Sequence, residues 1–149
     1  LLKGLTEEGF VFYTNYDSAK SKEILANPQA ALLFYWDYPH RQIRIAGKVE
    51  KLDRLQSENY WNSRPRGSRL SAMASLQSSE ISSQEDLAAR VSELENQWRG
   101  KDIPCPENWG GYKLVPEKFE FWEAQANRLH IRRKYQLQDG EWKQSWLQP

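Results

Sequence analysis

Apolar residues in this chain mostly alternate with polar ones or gather in short blocks, and helical spacing prevails in only a few stretches. Residues 9–15 (GFVFYTN) put Phe10 and Phe12 on one face and Val11 and Tyr13 on the other, the pattern of a strand covered on both sides. A turn at residues 15–17 leads into a short helix capped by Ser18 and carrying Ile24 and Leu25. Asn27-Pro28 ends it, because the residue before proline disfavours the α region. Residues 30–36 and 42–52 predict two further strands joined through residues 37–40. The second alternates Ile43, Ile45 and Val49 against Arg44, Ala46 and Lys48.

Residues 53–60 and 69–75 read as short helices around an SRPRGS turn. Ser82 and Ser83, with Glu85 and Asp86 three positions on, form a capping-box arrangement before Leu87, Val91, Leu94 and Trp98, which recur at helical spacing and predict a core-facing stripe. After a Pro-containing loop over residues 100–108, Trp109-Gly110-Gly111 opens residues 112–115 and 119–123, one strand interrupted near Pro116. Residues 128–138 and 141–146 flank Asp139-Gly140, a two-residue hairpin signal. Strands and helices do not alternate regularly. The expected fold is therefore mainly β with peripheral α-helices, an antiparallel barrel rather than a parallel α/β sheet.

At 149 residues the chain suits a single domain, and seven Trp, seven Tyr and five Phe supply bulky core material. Formal net charge is +1, with 21 basic and 20 acidic residues, so nothing global draws it to nucleic acid or membrane. Cys105 is the only cysteine, which excludes an internal disulfide framework and suits a reducing compartment. No apolar run reaches spanning length, and a cytoplasmic location is the default expectation. The chain opens on Leu within an apparent strand, so the natural N-terminus, with any targeting signal, is expected further upstream.

Local chemistry is more specific. Residues 59–79 hold three arginines (Arg64, Arg66, Arg69) and six serines without one carboxylate, an anion-binding composition in which Pro65 and Gly67 break the backbone. Lys20, in the first turn of the Ser18 helix, makes sense where an anion covers the exposed N–H groups. No phosphate-loop, dinucleotide or zinc-protease motif is present, and His40 and His130 lack neighbouring cysteines, so no metal site is expected. Redox chemistry here would need a cofactor. Trp122, Tyr13 and Gln42 can frame a ring system, while Lys20, Arg132 and Ser78 can meet a phosphate.

Tyr60, Ser63-Arg64-Pro65-Arg66, Ser68 and Gln77-Ser78-Ser79 closely resemble the Y-x-x-SRP-[RK]-x-S…QSS segment of the pyridoxine (pyridoxamine) 5'-phosphate oxidase family. Phe121-Trp122, Asn127-Arg128-Leu129-His130 and Arg132 resemble its FWQG…RLHDR signature. The resemblance implies an FMN-binding Greek-key split barrel, a homodimer with FMN between subunits, and oxidation of pyridoxamine or pyridoxine 5'-phosphate to pyridoxal 5'-phosphate by dioxygen. The positions matching FMN contacts are Leu2, Lys3, Tyr13, Thr14, Lys20, Gln42, Gln77, Ser78, Trp122 and Arg132. Substrate phosphate contacts match Lys3, Tyr60, Arg64 and Ser68, and Arg128 and His130 match the catalytic pair flanking the substrate ring.

The chain also departs from the family pattern. Ala19 stands where an arginine is usual, Ile131 replaces an acid that could orient neighbouring arginines, FWQG has become Phe121-Trp122-Glu123-Ala124, S-Q-I-G-A has become Ser68-Arg69-Leu70-Ser71-Ala72, and Trp146 replaces an arginine. These changes leave a second reading open, a non-catalytic or altered-specificity module that binds FMN or pyridoxal phosphate on the same fold.

Overall fold

The computed structural model describes all of residues 1–149. Seven strands form one antiparallel sheet: β1 (Gly4–Thr6), β2 (Gly9–Asn15), β3 (Gln29–Trp36), β4 (Arg41–Lys51), β5 (Trp109–Glu123), β6 (Ile131–Gln138) and β7 (Glu141–Trp146). Their order is β1-β2-β5-β4-β3, with β6 also on β5 and β7 on β6. Because β5 returns beside β2 after the β3–β4 hairpin, the connection is a Greek key. Helices α1 (Ala19–Ala26), α2 (Arg54–Ser63), α3 (Arg66–Ala74) and α4 (Gln84–Gln97) lie around it.

Strand β5 organises the sheet. Its residues 109–114 pair with β2 and its residues 118–123 with β6, while β4 runs along the other edge. One edge of β5 is thus shared between two strands, and the barrel splits where they change over. At that point the register with β4 passes from Ala46–Lys118 to Gly47–Pro116, leaving Glu117 as an extra residue. Pro116 is tolerated at this bulge because a ladder N–H is not required there. The expected break near Pro116 is therefore a bulge in one continuous strand.

The bulge decides which side chains face outward. One extra residue switches the alternation, so Trp109, Gly111 and Lys113 share a face with Glu120 and Trp122. Tyr112 and Leu114 point the other way, with Phe119 and Phe121. There they join Ile24, Ile45 and Val49 in the barrel core, with Phe10 and Phe34 around them. Burying each such side chain contributes about 1.5–3 kcal/mol. A second cluster of Trp61, Leu70, Ile103 and Trp109 lies under α2 and α3, and the Trp61 Nε1 donates to the Ile103 carbonyl at 2.9 Å.

Helix starts follow their caps. Ser18, Asp53 and Ser83 accept from the backbone N–H three residues on. Helix α3 begins at Arg66 rather than Arg69, since Pro65 presets the entry. Helix α4 has no fully buried residue: Leu87, Val91, Leu94 and Trp98 are half-buried, and the stripe expected in the core covers the second cluster from outside. The strand expected over residues 128–138 starts only at Ile131. A 3-10 turn (Ala126–Arg128) precedes it, with Asn127 and Arg128 at φ 56° and 63°, and asparagine adopts that left-handed conformation readily. No helix is long and apolar enough to cross a membrane.

Candidate active site

A cleft of about 640 Å³ opens between the start of the chain, β2, α2 and α3. Lys3, Tyr60, Arg64 and Ser68, the residues expected to meet a substrate phosphate, all line it, as do Tyr13, Thr14 and Gln77 from the expected FMN set. No carboxylate lines it. Helical spacing explains the selection: along α3, Ser68, Ser71, Ala72 and the following Ser75 turn to the cleft, while Leu70 and Ala74 turn to the core. Arg66 points elsewhere and donates to the carbonyls of Trp98 (2.6 Å) and Lys101 (2.9 Å). Arg69 does not line the cleft either, so one arginine of the three serves it.

Arg64 is the electrostatic centre of the cleft. Its Cζ lies 5.0 Å from the Trp109 ring centroid and 5.4 Å from that of Trp61, its Nη1 is buried without a hydrogen-bond partner, and no carboxylate pairs with it. Burial pushes its pKa down from the usual arginine value, which means that the folded protein holds a charge it would rather neutralise. A doubly charged oxyanion relieves both the orphan donor and the charge. Beside it, the Tyr13 and Tyr60 rings stack at 3.9 Å, and both lie nearly parallel to Trp109. Burial, and secondarily the neighbouring Tyr60, raise the pKa of Tyr13, so its hydroxyl remains a donor at neutral pH.

The remaining expected residues fall into two places. Lys20 Nζ donates to Thr14 Oγ1 (3.0 Å), which donates to Gln77 Oε1 (2.6 Å), so these three form a chain at the cleft's edge with a cationic end. Leu2 lies with Lys20 in an adjoining apolar groove, and Ser78, at φ 72° and exposed, is next to Gln77 but does not line the cleft. Gln42 and Trp122, cross-strand neighbours, line a second hollow of about 420 Å³ at the far end of β5. His130 sits 4.7 Å from the Trp122 ring, and its Nδ1 accepts from the Gln125 backbone N–H (3.2 Å), which leaves the ring proton on Nε2. Arg128 is exposed on the 3-10 turn.

Arg132 is held by a residue that the sequence reading did not single out. Glu120, 6% exposed, takes Arg132 Nε at 2.8 Å and Nη2 at 2.7 Å, and Arg132 Nη1 donates to the Gln148 carbonyl at 2.7 Å. The acid missing at Ile131 is thus not needed to orient this arginine. Trp109 was likewise read only as a strand opening. Both lie on the outward face of β5, a fact hidden until the bulge is known. Cys105 offers no nucleophile, because burial raises its thiol pKa.

The donors fit FMN in kind: a planar Trp–His–Gln end suits a ring, and the Lys20–Thr14–Gln77 chain suits a phosphate. Comparison with known proteins agrees. The family model "Pyridoxamine 5'-phosphate oxidase" matches residues 2–98, and the "Pyridoxine 5'-phosphate oxidase C-terminal dimerisation region" matches residues 109–149. Proteins named pyridoxine/pyridoxamine 5'-phosphate oxidase from Synechocystis sp. and Pseudomonas putida are 46% and 49% identical over the whole chain, which spans 70% and 69% of their lengths. The crystal structure of PhzG from Burkholderia lata, in complex with tetrahydrophenazine-1-carboxylic acid, superposes with a TM-score of 0.91 at 32% identity, covering 99% of this chain and 72% of that one. A pyridoxamine 5'-phosphate oxidase-related, FMN-binding protein from Nostoc punctiforme shares the fold at 19% identity (TM-score 0.73; 100% and 78% covered). The split barrel, the outward-facing donors and these matches together place the chain in the pyridoxine/pyridoxamine 5'-phosphate oxidase family of FMN-dependent oxidoreductases.

Proposed function

We propose that the protein, working as one FMN-binding domain in a homodimer, oxidises pyridoxamine or pyridoxine 5'-phosphate to pyridoxal 5'-phosphate with dioxygen as acceptor. The observation that carries this reading is the half-buried, unpaired Arg64 guanidinium in a cleft without carboxylates, beside Lys3, Tyr60 and Ser68. A carboxylate ligand, such as the one named for the PhzG structure, would use this seat less fully than a phosphate dianion does. Lys3 and Arg64 hold the phosphate by charge, and the Tyr60 and Ser68 hydroxyls orient it. Bound FMN would supply a two-electron acceptor for the substrate's hydride and a route for those electrons to dioxygen. Trp122, Gln42 and Arg132 position the ring, with Leu2, Lys3, Tyr13, Thr14, Lys20, Gln77 and Ser78 toward the rest of the cofactor. His130, with its proton on Nε2, and Arg128 bind the reacting end of the substrate.

In this reading two subunits complete the site, because within one chain the Arg64 cleft and the Trp122 hollow lie at opposite ends of β5. From Trp109, at the cleft, to Trp122, beside His130, β5 runs about 40 Å along its contour. A second copy related by a two-fold axis brings His130 of the partner subunit to the Arg64 cleft, and the match of residues 109–149 to a dimerisation region supports that arrangement. The test is subunit mixing. Arg64→Ala and His130→Ala homodimers each lose activity, and co-refolded mixtures recover about a quarter of the wild-type rate, because each hybrid dimer holds one intact site. No recovery in verified hybrids removes the shared-site reading.

A further inference from the structure

We infer that Arg54, which lies outside the cleft, is a positioning residue that sets the cleft's affinity for phosphorylated ligands by holding Trp109 beneath Arg64. This rests on the phosphate-binding reading above. Arg54 opens α2, the helix that carries Tyr60 and Trp61 and leads directly to Arg64. Its Nε pairs with Glu58 at 2.7 Å, one turn on. Its two remaining nitrogens take three carbonyls of one loop: Nη1 reaches Pro106 (2.9 Å) and Trp109 (3.3 Å), and Nη2 reaches Cys105. That loop ends in Trp109.

The two aromatic walls of the Arg64 seat come from different elements. Trp61 belongs to α2 and Trp109 to the start of β5, and one guanidinium ties the two together. On its other side the loop is fixed to the end of β2, through the Tyr16 backbone N–H to the Asn108 carbonyl and the Asn108 side chain to Asp17. Without Arg54 the loop would keep that anchor, and α2 would still hold Ile103 through Trp61 and Gly111 through Ser57, but the three carbonyl bonds that fix residues 105–109 to α2 would be lost. Trp109 could then shift relative to Trp61, and the unpaired charge of Arg64 would no longer be pointed at one place. A fork of donors is required, since a lysine is a point charge that cannot span three carbonyls and a carboxylate.

The experiment uses the full chain, with pyridoxal 5'-phosphate and inorganic phosphate as probes in calorimetric titrations, FMN affinity and thermal midpoint as controls, and kcat and KM for pyridoxamine 5'-phosphate. Arg54→Gln and Arg54→Lys are expected to raise Kd for both phosphate probes about tenfold, to raise KM in step while kcat holds, and to move FMN affinity by less than about twofold. In an Arg64→Met background Arg54→Gln should add no further loss for phosphate, because it acts through Arg64. Unchanged phosphate affinity, losses that add to those of Arg64→Met, or an equal fall in FMN affinity each overturn the inference. If Arg54→Gln does not fold, Glu58→Gln, which frees one side of the guanidinium, should raise phosphate Kd about threefold, and no rise overturns the inference equally. Wild-type protein that binds neither probe is a different failure: it removes the phosphate reading itself and takes the inference with it.

Discussion

Replacing Arg64 by methionine separates binding from folding at one residue. Methionine retains an unbranched stem against Trp61 and Trp109 and removes only the guanidinium. In the ligand-free protein that guanidinium is half-buried, has no carboxylate partner and leaves Nη1 unsatisfied, so its removal recovers desolvation while forfeiting a stacking interaction of about 0.5–1 kcal/mol. The two nearly cancel. Affinity for a phosphorylated ligand should fall by about 2–4 kcal/mol, roughly 30-fold to 1,000-fold, since a charge-assisted contact in a partly dry cleft is lost. Titrations of pyridoxal 5'-phosphate and FMN into wild type and variant, with thermal melts of both apo forms, measure each term. A pH series adds the sign: a phosphate monoester loses its second proton near pH ~6, the dianion is drawn more strongly to Arg64 and Lys3, and affinity should rise between pH 5 and 7 more steeply in wild type than in Arg64→Met. Equal losses for the two ligands, or a fall of many degrees in the apo midpoint, would refute the reasoning, the first by placing Arg64 at the wrong phosphate and the second by making it a structural residue.

Two glycines of opposite character test the fold. A Cβ at Gly47 would lie 2.0 Å from the Val115 carbonyl at the bulge, so Gly47→Ala should destabilise by about 1–3 kcal/mol or more and disturb the register, whereas a Cβ at Gly67, within α3, meets nothing, and Gly67→Ala should stabilise by about 0.5–1 kcal/mol; chemical denaturation of both reads the contrast. Ile131→Asp would set a second acid directly opposite Glu123, and the expected result is a loss of about 0.5 kcal/mol in stability with turnover changed by less than about twofold. A severalfold gain in turnover would show that the acid does orient the catalytic residues.

How far the sequence could be read depended on whether a signal was local. The β2 pattern, the Ser18 and Ser83 caps and the Asp139-Gly140 hairpin are set by neighbouring residues, and each appears where expected. The SRP segment was legible as a candidate anion site, yet composition could not tell Arg64, which lines the cleft, from Arg66 and Arg69. Arg64 reaches the cleft from the C-cap of α2, whereas the helix begun at Pro65 turns Arg66 to the carbonyls of Trp98 and Lys101. Trp109 and Glu120 were less legible still. Their common outward face depends on a one-residue bulge at Glu117, and a pairing slip between strands distant in sequence leaves no mark in either strand alone.

The same pairing changes the meaning of two departures from the family pattern. Read along the chain, Glu123 in place of glutamine and Ile131 in place of aspartate are separate changes near the ligands. In the sheet they are one pair, with Ile131 directly opposite Glu123 on adjacent strands and Arg41 opposite Glu123 on its other side. Glu123 Oε2 takes the Arg41 Nε and Nη2, both at 3.1 Å. In this chain the carboxylate at this place stands on β5 with Arg41 as its partner, while Arg132 is held by the buried Glu120. An acid at position 131 as well would set like charges face to face across the two strands. Of the other departures, Ala19, Ala124 and Trp146 line neither the Arg64 cleft nor the Trp122 hollow, and the 68–72 change reaches the cleft through Ser71.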